Sequence, residues 1–169
     1  LVLRGLHRLP HRLVTPMAAP LLLRLSAALL ILSSPVLAAE IADPNVVVDT
    51  SSLPPIAANA PEGNPYRGNA RAAEIGRAAF NQACSRCHGV DAVNKGQVGP
   101  DLLKMDRSCP RIADPAIRQM CILDQDDFFL KSVQDGKTRV GVVHMPAWKD
   151  VLPPAAIWTI RTFLESRSR

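Results

Sequence analysis

The feature that most constrains this chain is the pentapeptide Cys84-Ser85-Arg86-Cys87-His88. The pattern Cys-x-x-Cys-His is the one by which haem is attached covalently to a protein. Two residues between the thiols let both sulfur atoms reach the vinyl groups on one edge of the porphyrin, and the next side chain can then reach the iron. The motif therefore predicts one haem c, bound through Cys84 and Cys87, with His88 as an axial iron ligand.

Two other uses of a Cys-x-x-Cys pair are disfavoured. Half a zinc site would need further ligands, and the sequence contains no second Cys-x-x-Cys and no His-x-x-x-His to supply them. A redox dithiol of the thioredoxin kind follows a strand, whereas this pair follows a predicted helix. Haem attachment is therefore the preferred interpretation.

Residues 1–38 have the character of a removable leader. Within them, a basic start, an apolar run at residues 25–32 and small residues ending at Ala38 match a secretory signal. The run is shorter than the roughly 20 residues that a membrane-spanning helix needs. We expect cleavage after Ala38 or Ala39 and a periplasmic product without a membrane anchor, with Met17 as an alternative start.

The leader changes the meaning of the net charge. The chain has 20 Lys and Arg against 15 Asp and Glu, a formal charge of +5. Four of the basic residues and none of the acidic ones lie in residues 1–38, so the mature chain carries 16 against 15, a formal charge of +1. This balance removes the electrostatic argument for a nucleic-acid partner.

The sixth iron ligand is expected among the remaining soft or imidazole side chains, His144, Met145, Met105 and Met120. Met145 is preferred because the following Pro146 favours an extended backbone that suits a loop ligand. His144 is the rival, since histidine is the commoner metal ligand in general. We expect Met105 and Met120 to fill gaps in the core.

Two further elements follow the motif. In Gly99-Pro100-Asp101-Leu102, a backbone carbonyl, assigned to Pro100, can accept the second ring N–H of the proximal histidine; an ordinary turn is the alternative. Cys109 and Cys121 are predicted to form a disulfide, because the chain is exported. That bond would close a loop of about 13 residues, worth about 3 kcal/mol. Free thiols or a second haem are the disfavoured alternatives.

The rest of the chain predicts an all-α domain at residues 70–169, preceded by an extended Pro-rich arm at residues 39–69. The arm is either disordered or wrapped on the domain. No strand is predicted, and the acidic cluster at residues 124–127 is expected to cap a helix. Gly76 is expected to permit a close helix crossing. The predicted helices run from Ala70 to the cysteine motif, from Gln125 to Gln134, and from Pro153 through Leu164, and a short helix is also expected at residues 114–120.

Together these motifs resemble the class I cytochromes c over about residues 70–166. Segments at residues 64–68 and 74–76, residues 80–89, the insert at residues 109–121 and Met145-Pro146 are similar to the PedF-type cytochromes c. The resemblance implies a one-electron carrier, not an enzyme. It also implies a periplasmic PQQ-dependent alcohol (ethanol) dehydrogenase as donor, with a terminal oxidase or another cytochrome as acceptor.

The resemblance leaves two alternatives open. The donor could be a methanol dehydrogenase or a bc-type complex, or the chain could be a haem enzyme or sensor with a displaceable sixth ligand. The chain departs from the PedF-type pattern at His144 and at Ala147-Trp148, where Tyr and Pro-Phe are expected. These departures bear on the polarity of the haem pocket.

Overall fold

The computed structural model describes residues 42–57 and 62–168. The predicted leader, residues 1–38, lies outside the described residues, so its cleavage and the proposed domain boundaries stay predictions. Among the residues described, no helix is both long and apolar enough to cross a bilayer.

The described part is mostly helical, which confirms the fold class predicted from the sequence. Short 3₁₀ turns and one small antiparallel hairpin connect the helices. The elements are helices α1 (Ala70–Ala83), α2 (Ser85–His88), α3 (Pro115–Asp135) and α4 (Pro154–Arg167), strands β1 (Lys137–Arg139) and β2 (Val142–Met145), and turns Val90–Ala92, Leu102–Lys104 and Cys109–Arg111.

The two helices α1 and α4 begin where the sequence predicts. The side chain of Asn69 accepts a hydrogen bond from the backbone N–H of Ala72 at 3.0 Å, as an N-cap residue does. Helix α4 begins with Pro154 after Pro153, positions where a missing N–H costs no helical hydrogen bond. Local signals are therefore sufficient at these two helix starts.

Helix α3 is longer than predicted. It spans 21 residues and begins at Pro115 rather than at Gln125. Its N-cap is Asp114, whose carboxylate accepts hydrogen bonds from the two backbone N–H groups that open the helix, at 2.8 and 3.1 Å. The expected short helix at residues 114–120 and the expected helix from Gln125 are one continuous element, because no residue between them breaks the helix.

The hairpin was not predicted. Its strands have only three and four residues, which is too few to show a clear alternation of apolar and polar side chains. Val140 and Gly141 form the two-residue connection, and both have positive φ, at 50° and 75°. Such a connection matches the twist of paired strands.

The core is centred on the close contact of α1 with α4. A Cβ atom at Gly76 would lie 1.9 Å from the backbone oxygen of Thr159 on α4, so only glycine permits this approach. Nearby, the buried rings of Phe80 and Phe163 lie with their centroids 5.5 Å apart. The predicted role of Gly76 in a close helix crossing is confirmed.

The described parts of the arm pack on the domain. Val46, Leu53 and Tyr66 are each less than a tenth exposed. The hydroxyl group of Tyr66 donates a hydrogen bond to the carbonyl oxygen of Pro54 at 2.8 Å, which joins two parts of the arm. Of the two interpretations of the arm, the wrapped one holds for these residues.

The helix crossing yields a prediction. Gly76→Ala should lower the free energy of unfolding by about 3 kcal/mol, because the added methyl group meets rigid backbone. Chemical denaturation of the holoprotein measures the change. Gly96→Ala is the matched control: a Cβ there meets nothing within 4 Å, and its φ of +95° should cost about 1 kcal/mol. Equal losses in the two variants would contradict the close crossing.

Candidate haem site

The cysteine motif forms a single helical turn directly after α1. Cys84 ends α1, donating its N–H to the Phe80 carbonyl at 2.8 Å, and its own carbonyl accepts the N–H groups of Cys87 and His88 at 3.1 and 3.0 Å. Residues three and four apart lie on one face of a helix. The fold therefore places both thiols and the imidazole on the same side of the turn.

The two thiols of the motif are free, and their surroundings are not those of a redox dithiol. Burial, with a smaller contribution from Cys87, raises the pKa of the Cys84 thiol to about 12. A nucleophilic cysteine of the thioredoxin kind needs a lowered pKa. The environment of Cys84 thus does not favour a redox dithiol.

His88 is buried, and one of its two ring nitrogens has a backbone partner. Its Nδ1 atom lies 3.0 Å from the carbonyl oxygen of Pro100. In the tautomer with the proton on Nδ1, the ring donates to Pro100 and leaves Nε2 for a metal. The contact needs Gly99, since a Cβ atom there would lie 2.7 Å from His88 Nδ1 and 2.6 Å from the Cys87 carbonyl oxygen.

The alternation of strand β2 separates the two rivals for the sixth position. Val142 and His144 are exposed, whereas Val143 and Met145 are partly buried. Adjacent residues of a strand face opposite sides of the strand. Met145 is on the inner side, where it packs against the main hydrophobic core. His144 lies on the solvent side.

The two other candidate methionines, Met105 and Met120, differ in burial. Met105 is partly buried and packs against the same core, as expected of a side chain that fills a gap. Met120 is 63% exposed, so its expected place in the core is wrong. Met120 lies on the exposed side of the first half of α3. The sequence predicts a separate short helix there, not the first half of a longer one.

Cys109 and Cys121 form a disulfide in the structure, with their Cα atoms 5.6 Å apart. The bond joins the turn Cys109–Arg111 to helix α3. This is the pairing that the sequence analysis favours, and it leaves only the motif cysteines for other chemistry.

One buried charged cluster was missed by sequence reasoning. Asp126, expected to belong to a helix cap, lies in the interior of α3 with its side chain fully buried, and Arg161 of α4 is 1% exposed beside it. Their ion pair is 2.8 Å long. An arginine amid the apolar residues of α4 was the available signal, but only the fold shows its partners.

The residues present fit a haem c. The thiol pair is free, His88 keeps one ring nitrogen available, and Met145 offers a thioether on the buried side of its strand. Within residues 42–57 and 62–168, no three His, Cys, Asp or Glu side chains form a group that could hold a metal ion. In this part of the chain, the zinc alternative thus lacks its other ligands.

Comparison with known proteins finds relatives among the cytochromes c. A family model described as cytochrome c oxidase, cbb3-type, subunit III, matches residues 71–164. A cytochrome c550 of Pseudomonas aeruginosa is 35% identical over 123 residues, which cover 70% of this chain and 74% of that protein. No solved structure matches the chain.

The placement of β2 yields a prediction for the sixth ligand. In the oxidised holoprotein, Met145→Ala should abolish the long-wavelength absorption band of methionine bound to Fe(III) and lower the midpoint potential, because a methionine ligand raises it. His144→Ala is the matched control on the adjacent, exposed position and should leave the band unchanged. If only His144→Ala removes the native ligation, the ligand is His144.

Proposed function

The chain belongs to the cytochrome c family, whose members carry covalently bound haem c, and from this premise we propose an exported one-electron carrier. It accepts electrons from a PQQ-dependent alcohol dehydrogenase and passes them to a terminal oxidase or another cytochrome. The observation that carries the proposal is the helical turn that presents two free thiols beside a histidine bonded to Pro100.

Each site residue has a separate task in this proposal. Cys84 and Cys87 would hold haem c through two thioether bonds, and His88 and Met145 would supply the protein ligands of its iron. When bound, haem c supplies an iron atom that exchanges one electron. Pro100 orients the His88 ring through its carbonyl oxygen and makes the ring more basic.

A fixed sixth ligand favours a carrier over a haem enzyme or sensor. The backbone on both sides of Met145 is held: a Cβ atom at Gly136 would lie 2.4 Å from the Met145 carbonyl oxygen, and the Trp148 N–H donates to the Val133 carbonyl of α3 at 2.9 Å. A displaceable ligand would need freedom in this segment. We therefore propose that both axial positions stay filled by side chains and that no substrate binds the iron.

The donor is proposed from the resemblance to the PedF-type cytochromes c, and two properties of the chain support it. The mature formal charge of +1 suits brief docking without strong electrostatic steering. Exposed apolar side chains lie in the loop after the motif, with Val90 67% and Val98 91% exposed. They suit a small, transient interface of under about 1,200 Å².

Rapid mixing tests the donor. The oxidised holoprotein should be reduced quickly by a PQQ-dependent ethanol dehydrogenase supplied with ethanol, with only modest dependence on salt. Val98→Asp should slow the reduction, because a charge enters the proposed contact. Val47→Asp is the matched control, since Val47 is 78% exposed on the arm.

The rival donors are tested in the same assay. A methanol dehydrogenase with methanol and a bc-type complex with a quinol replace the ethanol enzyme. If the cytochrome stays oxidised with the ethanol enzyme but is readily reduced by one of these, the alcohol dehydrogenase assignment is wrong and the carrier function stands.

A further inference from the structure

We propose that Arg161, through its ion pair with Asp106, is a positioning residue for His88. The pair anchors one end of segment 100–106, and the other end of the segment is the Pro100 carbonyl that contacts the His88 ring. This inference rests on the proposed role of His88 as an axial ligand. It assigns a haem-directed role to a buried residue of α4.

Arg161 is held in one geometry. It is 1% exposed, and its two terminal nitrogens, Nη1 and Nη2, donate to the two carboxylate oxygens of Asp106, both at 2.7 Å. Its Nε donates to Asp126 Oδ1 at 2.8 Å. Such a planar, two-point contact defines orientation as well as distance. Water has little access to the buried guanidinium and cannot substitute for either acceptor.

Asp106 depends on this contact more than the other carboxylates do. Asp126 also accepts the Asn64 N–H at 2.9 Å and pairs with Arg67, and Glu165 pairs with Arg67 at 2.6 Å. Apart from Arg161, Asp106 receives only the hydroxyl group of Ser168, at 3.4 Å, within the described part of the chain. Arg161 is thus the main anchor of Asp106.

Local hydrogen bonds stiffen the segment between Pro100 and Asp106. The carboxylate of Asp101 accepts the Leu103 N–H at 3.1 Å, and the Leu102 carbonyl accepts the Met105 N–H at 3.2 Å. Leu102, Leu103 and Met105 all pack against the main core. We therefore expect the segment from Pro100 to Asp106 to move as one unit.

The Pro100 end of segment 100–106 is close to His88, the proposed iron ligand. The Pro100 carbonyl lies 3.0 Å from His88 Nδ1, and the Gly99 N–H donates to the Cys87 carbonyl at 2.8 Å. The partner on the outer nitrogen of a ligating histidine sets its orientation and basicity. A shift of segment 100–106 would therefore change the orientation and the basicity of the His88 ring.

The alternative is that the ion pair only stabilises the fold. Asp106→Ala removes the anchor of the segment and keeps the other contacts of Arg161. Arg67→Ala is the matched control: it removes two ion pairs from the same cluster, with Asp126 and Glu165, but leaves the pair between Arg161 and Asp106. Both variants should lose stability, so stability alone does not discriminate.

The discriminating measurement is hydrogen exchange of the His88 Nδ1–H, followed by NMR in the reduced holoprotein. Asp106→Ala should exchange this proton about tenfold faster, because a segment without its anchor opens the contact between His88 and the Pro100 carbonyl more often. It should also shift the midpoint potential. Arg67→Ala should change neither. Asp106→Asn, which keeps one carbonyl acceptor, should lie between Asp106→Ala and the native protein.

Two results would overturn the inference. One is native exchange in Asp106→Ala or, should that variant yield no holoprotein, in Asp106→Asn. The other is an equal acceleration in Arg67→Ala. Failure of the proposed function is a different observation: if the oxidised native protein shows no iron-shifted His88 ring signal, His88 is not the ligand and both proposals are wrong.

Discussion

The close crossing of α1 and α4 at Gly76 is the contact on which the rest of the structure depends. The backbone of Thr159 occupies the space that a side chain at position 76 would need. Because α1 ends at Cys84, this contact determines where the turn that carries the cysteine motif begins relative to α4. Because α4 also carries Arg161, the same contact places the buried ion pairs that hold the segment leading to Pro100. The absence of a side chain at Gly76 thus helps to position both the cysteine motif at the end of α1 and the Arg161 ion pairs on α4.

Buried ion pairs are weak evidence for stability, since removing two charges from water costs about as much as their attraction returns. Their better supported contribution is to fix the relative positions of the elements that they join. Arg161 contacts carboxylates on α3 and on the loop at Asp106, which precede it by 35 and 55 residues in the sequence. The disulfide between Cys109 and Cys121 joins the same two parts of the chain covalently. A domain with so few helices therefore holds its long loops by directional bonds in addition to apolar packing.

Local patterns were sufficient for much of the fold. The motif and the cap at Asn69 each depend on residues within one or two turns of helix. The role of Gly76 was indicated by a glycine inside a helical pattern, although its partner, Thr159, lies on α4. The missed features depend on tertiary contacts. The hairpin is too short to show a period, and the burial of Asp126 depends on Arg161, 35 residues away. The choice between the neighbours His144 and Met145 rests on which side of β2 faces the core, which is visible only once the strands are paired.

We infer that the chain is organised around one haem held covalently by Cys84 and Cys87. Peptide mapping of the exported holoprotein under denaturing, non-reducing conditions, after treatment with a thiol-alkylating reagent, tests it most directly. We expect the haem on the single peptide that contains both cysteines, with neither of them alkylated. Alkylation of Cys84 or Cys87, or haem that is released from the denatured chain, would contradict it.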